Sequence, residues 1–221
     1  MIDMETELFR DRTDAGYKLA QQLLDFKDQD AVVLAIPRGG IPVGYEVVRQ
    51  INAEFDIILP KKIPIPWNPE AGLGAISVDG TIVLNEDLVR GLGMSADEIE
   101  EAASGVRKEI ERQNEVYRKD RPSPNVTGKI VILIDDGLAS GYTMLAAIES
   151  VRKYHPKSII TAVPVSSRSA VKLIKPRVDK LVALITGENL PFAVAGYYMI
   201  WHDLTDENVM SYLKRASEIR P

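Results

Sequence analysis

The chain has 221 residues, enough for one domain with a substantial hydrophobic core, and we expect a single domain over residues 1–221. Its 27 basic and 32 acidic residues give a formal net charge of −5, which provides no electrostatic basis for sequence-independent nucleic-acid binding. The absence of cysteine excludes disulfides and thiolate metal sites. No apolar run approaches a membrane span, and Asp3, Glu5 and Glu7 stand where a signal peptide would be basic, so we expect a cytoplasmic protein.

The first predicted element is a helix over residues 13–26, because apolar residues recur there at helical spacing. Thr13 is the expected N-cap, since its hydroxyl can accept a hydrogen bond from the first helical turn. The preceding residues Phe9, Arg10 and Arg12 are interpreted as an anchoring aromatic followed by solvated arginines. We therefore assign no binding role to this segment.

A buried strand over residues 31–36 and a helix over about 42–51 come next, joined by the loop Pro37-Arg38-Gly39-Gly40. A glycine loop that opens a helix is a potential anion site, because the first helical N–H groups are unpaired there. A second strand over residues 55–59 is followed by Lys61 and Lys62. These lysines are either a solvated corner or part of an anion site.

The segment 61–90 is predicted to contain a flap and a hairpin. Three prolines and two glycines between Ile63 and Gly74 indicate an irregular active-site flap. Asp79-Gly80 between two apolar strands predicts a β-hairpin with a type I′ turn. A capping box formed by Ser95 and Glu98 then opens a long helix over residues 95–120, to which we assign packing, with dimerisation as an alternative, and no chemistry.

The most informative stretch is a buried strand that ends at Ile134 and is followed by two adjacent carboxylates, Asp135 and Asp136. A small-residue turn and a new helix follow, so the loop can bind a phosphate through backbone N–H groups and hydroxyls. The carboxylates can accept hydrogen bonds from vicinal ribose hydroxyls. The candidate phosphate-binding residues of this loop are Gly137, Ala139, Ser140, Gly141, Tyr142 and Thr143. The alternative interpretation of the whole stretch is a buried strand followed by an acidic helix cap that binds no ligand.

The remaining pattern predicts strands over 158–165 and 180–185 joined by a helix over 169–174. Repeated βαβ units give an α/β fold, a parallel sheet flanked by helices on both faces. Ligands bind at the carboxyl ends of such strands, where the three candidate loops lie. The C-terminal segment 187–221 concentrates aromatic residues before a closing helix over 205–216.

The run from Ile134 to Thr143 resembles the phosphoribosyl pyrophosphate (PRPP) binding motif of the type I phosphoribosyltransferases. Asn68-Pro69-Glu70, together with the following Gly72-Leu73-Gly74-Ala75, resembles a little-characterised subfamily of them. The resemblance implies the type I phosphoribosyltransferase fold with a small hood. It also implies Mg²⁺-dependent displacement of pyrophosphate from PRPP by a nucleobase or other amine, and a homodimer or larger oligomer.

Site roles follow from the same resemblance. Asp135, Asp136 and Lys61 would be catalytic, with Mg²⁺ held by the two aspartates through water. The turn after them would hold the 5′-phosphate. Pyrophosphate would be bound by Arg38, Gly39, Gly40 and Lys62, with a cis non-proline peptide next to Gly39. Phe192 and Trp201 would lie in the hood around the base.

One departure bears on the acceptor. Ala139 stands where hypoxanthine-guanine enzymes carry an aspartate near the base, which weakens a 6-oxopurine assignment and removes an obvious general base. Two other functions stay open. One is a non-catalytic regulator that binds PRPP or a nucleotide, and the other is a hydrolase or phosphorylase acting on a phosphorylated ribose ligand.

Overall fold

The computed structural model describes residues 8–119, 121–188 and 192–219. The acids Asp3, Glu5 and Glu7 and residues 189–191 of the predicted hood segment lie outside the described residues. The strands are β1 (Ala31–Ala35), β2 (Glu54–Ile57), β3 (Lys61–Ile65), β4 (Asn68–Ile76), β5 (Ile82–Leu84), β6 (Ile130–Ile134), β7 (Ser158–Ser167) and β8 (Lys180–Gly187). The α-helices are α1 (Arg12–Gln21), α2 (Gly40–Ile51), α3 (Glu86–Leu92), α4 (Ala96–Arg118), α5 (Tyr142–Arg152), α6 (Arg168–Ile174) and α7 (Asp206–Ser217).

Five strands form a parallel sheet in the order β2-β1-β6-β7-β8. The chain moves from β1 outward to β2 on one side and returns to β6 on the other side of β1. The strand order therefore reverses between β1 and β6. In open α/β sheets the carboxyl ends of the strands at such a switch point form the ligand crevice.

Alternate residues of the central strands face opposite layers of helices. Val33 and Ile132 pack on the face covered by α1 and α2, whereas Leu34 and Leu133 pack on the face covered by α5 and α6. Both β1 and β6 are buried along their whole length, because helices cover both faces. Burying each such side chain contributes about 1.5–3 kcal/mol. The predicted parallel sheet with helices on both faces is confirmed.

The predicted irregular backbone over residues 63–74 is wrong, because this segment forms two strands. β3, β4 and β5 build a three-stranded antiparallel sheet. The register of the β3–β4 pair shifts on either side of Pro64, where proline has no N–H to donate to the ladder. Lys61 and Lys62 accordingly begin β3 and do not close β2.

The hairpin between β4 and β5 has a different turn from the predicted type I′. Gly80 has φ +81°, whereas Asp79 is not among the residues with positive φ. Gly80 N–H donates to the Ser77 carbonyl (2.9 Å) and Ser77 N–H donates to the Thr81 carbonyl (2.9 Å), which leaves a three-residue loop. This pattern is a tight turn followed by glycine in the left-handed region.

The boundaries of the first helix differ from the prediction. α1 is capped by Asp11, whose side chain accepts from Asp14 N–H (2.8 Å), and not by Thr13. It ends at Gln21, and a separate 3₁₀ turn covers Leu24–Phe26. The capping box of Ser95 and Glu98 is confirmed at the start of α4. No helix within the described ranges combines the length and apolar character needed to cross a membrane.

Candidate active site

The loops that follow β1 and β6 touch each other at the switch point. A Cβ atom on Gly39 would lie 1.9 Å from Asp136 Oδ2, and one on Gly40 would lie 2.7 Å from the Ile134 carbonyl oxygen. Gly39 has φ −62°, so the close approach, and not its backbone angle, requires glycine. The cis peptide expected next to Gly39 instead joins Pro37 and Arg38.

The loop after β6 is held in place by β7. Leu138 N–H donates to the Val165 carbonyl (2.9 Å), and Ser167 N–H donates to the Leu138 carbonyl (2.8 Å). The Ser167 hydroxyl also donates to the Ala139 carbonyl (2.6 Å). Gly141 caps α5 with φ +86°, a left-handed conformation that favours glycine. The helix N-terminus is thereby presented to the space above the sheet.

We call this space the phosphate-loop cavity; it has a volume of about 380 Å³. It gathers Asp135, the first of the two aspartates predicted to be catalytic, and all the predicted 5′-phosphate residues, together with Lys62 of β3. Its predicted lining residues are Asp135, Gly137, Ala139, Ser140, Gly141, Tyr142 and Thr143. Lys62, predicted to bind pyrophosphate, therefore lies beside the phosphate loop.

Arg12 forms an ion pair with Asp136 that the sequence interpretation missed. Arg12 is 8% exposed, and its Nε donates to Asp136 Oδ2 (2.8 Å). Its guanidinium also donates to the His202 carbonyl (3.0 Å) and lies over the Trp201 ring, 3.7 Å from the centroid. The interpretation of Arg12 as a solvated arginine is wrong. Asp136 is thus held before any ligand arrives.

The second neighbour of Asp136 is Tyr198, whose hydroxyl donates to the Asp136 backbone carbonyl (2.6 Å). The Tyr198 ring packs 5.2 Å from Trp201 and 5.6 Å from Phe9. Phe9 N–H donates to the Tyr197 carbonyl (2.9 Å), so this aromatic group is tied to the segment before α1. Both the side chain and the backbone of Asp136 are therefore supported by residues distant in the sequence.

The two carboxylates are in an unfavourable environment for charge. Burial raises the pKa of Asp135 well above its ordinary value, and the neighbouring Asp136 carboxylate raises it further. Burial also raises the pKa of Asp136, although Arg12 opposes this shift. A ligand that donates hydrogen bonds to these carboxylates would favour their charged forms.

This arrangement predicts how stability depends on pH. Because the folded-state pKa of Asp135 is raised above its unfolded value, folded protein binds more protons between those two values, and stability falls as pH rises through this window. Asp135→Asn should remove this slope and raise the urea midpoint at pH 8, with a gain that shrinks towards pH 4. Urea unfolding at several pH values measures it. An equal loss of stability at every pH would contradict the prediction.

A second cavity of about 330 Å³ lies beside the loop after β1. We call it the cation cavity, because Arg12, Arg38 and Lys61 all line it, although Asp203 also contributes to its wall. Gly39 lines it too. Gly40 instead packs under the backbone of Ile134. The predicted pyrophosphate residues Arg38 and Gly39 are thus brought together with Lys61, whereas Lys62 lines the phosphate-loop cavity.

An ion-pair network holds the cations of this cavity. Arg38 Nε lies 3.2 Å from Asp206 Oδ1, and Arg112 Nη1 lies 3.1 Å from Asp206 Oδ2. Lys61 Nζ lies 3.8 Å from Glu109 Oε1. Burial lowers the pKa of Lys61, while Glu109 opposes this shift. Glu109 and Arg112 belong to helix α4, and Gln113 of the same helix lines the cavity, so α4 forms one wall of it. The predicted packing role of α4 did not include this.

The two predicted hood residues do not share one pocket. Phe192 packs against Tyr197 (5.4 Å between centroids) and borders a third cavity of about 610 Å³, next to Ser140 and the cations Arg168 and Lys172. Trp201 lies on Arg12 instead. Phe192 is therefore near the phosphate loop, whereas Trp201 supports the Asp136 ion pair.

Gly39→Ala tests the contact between the two loops. Because the new Cβ would overlap the Asp136 carboxylate, that carboxylate must leave its place beside Arg12 or the loops must separate, and we expect a stability loss of about 1–3 kcal/mol with loss of ligand binding. The matched control is Gly105→Ala in α4, where a Cβ meets nothing within 4 Å and should stabilise by about 0.5–1 kcal/mol. Denaturant unfolding of both variants measures this. Equal stability of the Gly39 variant and wild type would contradict the contact.

The carboxylates Asp135 and Asp136 are the metal-binding candidates of the site. Within the described ranges no group of three or more His, Asp or Glu side chains could hold a metal ion by itself. Mg²⁺ prefers oxygen ligands, keeps several waters and is commonly held by one or two carboxylates plus substrate phosphates. The two aspartates fit a metal of this kind.

Comparison with known proteins gives consistent matches. The model of the phosphoribosyl transferase domain matches residues 7–195. Two Mycobacterium tuberculosis proteins, from strains CDC 1551 and H37Rv, are each named "Putative phosphoribosyl transferase". Each is 36% identical over 210 residues, which cover 95% of this chain and 47% of the relative. The chain thus spans about half the length of these relatives.

Solved structures show the same fold. The crystal structure of TT1426 from Thermus thermophilus has 37% sequence identity and a TM-score of 0.78, covering 94% of this chain and 98% of the other. The AQ2163 protein from Aquifex aeolicus has 16% identity and a TM-score of 0.52, covering 81% of this chain and 76% of the other, which is a likeness in fold alone.

Proposed function

Because the chain belongs to the phosphoribosyl transferase domain family, we propose that it transfers ribose 5-phosphate from PRPP to a nucleobase or other amine and releases pyrophosphate. The observation that carries this proposal is the contact between the two loops at the switch point. One loop offers carboxylates and a helix N-terminus, and the other borders a cavity lined by cations. A sugar with a phosphate at one end and a diphosphate at the other matches this arrangement, with the phosphate at the helix N-terminus and the diphosphate in the cation cavity.

In the proposed reaction the bond from C1′ to the diphosphate oxygen breaks and a bond from C1′ to the acceptor nitrogen forms. The electron pair of the broken bond leaves with pyrophosphate, and the acceptor nitrogen loses a proton. Bond breaking runs ahead of bond making, so positive charge develops on the sugar. The protein accelerates such a step by placing fixed charges and dipoles around the developing charges.

Each group of residues has a role in this proposal. Backbone N–H groups and hydroxyls from Ala139 to Thr143 hold the 5′-phosphate at the start of α5. Asp135 and Asp136 accept hydrogen bonds from the ribose hydroxyls. Arg12, Arg38 and Lys61 surround the leaving diphosphate and stabilise its negative charge. Phe192 is the proposed stacking residue for the acceptor, supported by its position beside Ser140.

Mg²⁺ is part of the proposal. When bound, it would neutralise charge on the diphosphate, and Asp135 and Asp136 would hold it through water. We also propose that the protein acts as a homodimer or larger oligomer and works in the cytoplasm, as its resemblance to type I phosphoribosyltransferases implies.

The test is pyrophosphate release from PRPP and Mg²⁺ with a panel of nucleobases and amines, alongside calorimetric titration of PRPP. Release that depends on one acceptor would support the transferase and identify its substrate. Binding without release would favour a PRPP sensor, and release with water alone would favour a hydrolase. Absence of PRPP binding would contradict the proposed site.

A further inference from the structure

Gln113 of α4 is a buried polar residue whose side chain lacks a protein partner among the described residues. It is 3% exposed, and within the part of the chain that the structure describes no protein group hydrogen-bonds its carboxamide. The other buried residues of α4 are Ala103, Ile110 and Tyr117, which belong to one hydrophobic cluster. Tyr117 has a polar group too, but its hydroxyl is bonded to Asp206. Gln113 is therefore the member of this stripe whose polar group has no protein partner and is open to the cation cavity.

The Gln113 carboxamide opens into the cavity, since the fully buried unpartnered side-chain atoms of the described residues are the hydroxyls of Ser77 and Thr161. A polar group that faces a cavity without a protein partner is available to a ligand there. A glutamine there is understandable when its amide bonds to a ligand, because it offers two N–H donors and one carbonyl acceptor.

The location of Gln113 indicates which ligand this is. Gln113 lines the cation cavity together with Arg12, Arg38 and Lys61. Each of these three cations already has a carboxylate nearby: Asp136, Asp206 and Glu109, respectively. They supply positive charge at the cavity wall, whereas Gln113 supplies a neutral donor whose hydrogen bonds are still unused. A diphosphate has only acceptor oxygens to satisfy when fully ionised, so it complements both kinds of group.

We propose that Gln113 is a diphosphate-binding residue, whose carboxamide donates a hydrogen bond to the leaving pyrophosphate within the cation cavity. The inference rests on the proposed function, because that function identifies the cavity as the leaving-group site. It also assigns α4 a direct role, since the same helix carries Glu109 beside Lys61 and Gln113 beside the ligand.

The test uses the full chain with inorganic pyrophosphate and Mg²⁺ in calorimetric titrations. Gln113→Met keeps the side-chain length and removes both polar groups. It should weaken pyrophosphate binding about 10-fold or more, the effect of losing a hydrogen bond to a charged group. The affinity for ribose 5-phosphate, which has no diphosphate, should not change.

Two further variants sharpen the result. Gln113→Glu places a carboxylate against the diphosphate and should weaken pyrophosphate binding more than methionine does, so it tests the proposal even where Gln113→Met fails to fold. Gln22→Leu, at an exposed position after α1, is the control and should leave both titrations unchanged. Wild-type pyrophosphate affinity in Gln113→Met or in Gln113→Glu would overturn the proposal.

The outcome is separable from the proposed function. If wild type binds pyrophosphate and Gln113→Met weakens it, but no acceptor releases pyrophosphate from PRPP, the transferase fails and the Gln113 contact stands. If transfer occurs and Gln113→Met binds pyrophosphate like wild type, the Gln113 contact fails alone. If wild type binds no pyrophosphate at all, the assignment of the cation cavity fails and Gln113 loses its ligand.

Discussion

Asp136→Asn should weaken PRPP binding and slow transfer, while the variant still folds. Asparagine keeps an oxygen for Arg12 but loses the charge that strengthens a hydrogen bond to the ribose hydroxyls. Losing one charge-assisted hydrogen bond corresponds to about 1.5–3 kcal/mol, so PRPP affinity or kcat/KM should fall about 10- to 150-fold. Calorimetric binding and initial-rate kinetics measure the two quantities.

Folding should survive at a cost in stability, because asparagine leaves the buried Arg12 without its counter-charge but keeps an oxygen for its Nε; circular dichroism checks that the variant is folded. Asp87→Asn is the control, since the Asp87 side chain is 93% exposed on α3, where it pairs with Arg90. The control should bind PRPP like wild type. Full activity of Asp136→Asn would contradict the proposed role of this carboxylate.

Arg12→Met is expected to be strongly destabilising, because it leaves the Asp136 carboxylate buried without its cation. Arg12 and Asp136 side chains are 10% and 13% exposed, and breaking a buried pair by removing one partner costs about 3–5 kcal/mol. The loss should be largest at pH 8, where Asp136 must be charged in the unfolded state but is disfavoured as an anion in the folded one. It should shrink at lower pH, because the unpaired carboxyl can then take up a proton.

Urea unfolding at pH 5 and pH 8 measures this difference. The matched control is Arg10→Met, because Arg10 is two residues away, its side chain is 66% exposed, and its pair with Asp11 is a surface pair worth about 0–1 kcal/mol. Equal stability of the two variants at pH 8 would show that Arg12 does not compensate the buried carboxylate.

Features encoded by neighbouring residues could be predicted from the sequence. The run Ile130 to Thr143 combines a buried strand, carboxylates and a helix start in one segment, so the local pattern predicted a ligand loop at a strand end. The same holds for the capping box at Ser95. The individual strands of the parallel sheet also show in local pattern, and their pairing was inferred from the repeated βαβ order.

The features that were not predicted depend on residues far apart in the sequence, or on single residues that depart from the pattern of their helix or strand. Arg12 pairs with a carboxylate 124 residues away, and a single arginine near a helix start carries no local signal of this. Gln113 lies on α4, whose many charged residues indicated a solvated face. Its spacing from the other buried residues of that helix was a usable signal that Gln113 is buried too. The three prolines of residues 63–74 suggested irregular backbone, but an antiparallel pair accommodates Pro64 by shifting its register.

Backbone hydrogen bonds join Phe9 to the Tyr197–Met199 segment, two parts of the chain that the ribosome makes at very different times. Phe9 N–H donates to the Tyr197 carbonyl, and Met199 N–H donates to the Phe9 carbonyl (2.9 and 2.8 Å). The five-stranded sheet is complete once Gly187 has been made, but Trp201 and His202, which hold Arg12, are made later. They also lie beyond residue 195, where the family match ends. A nascent chain therefore contains all five strands of the sheet before the residues that hold Arg12 beside Asp136 are made.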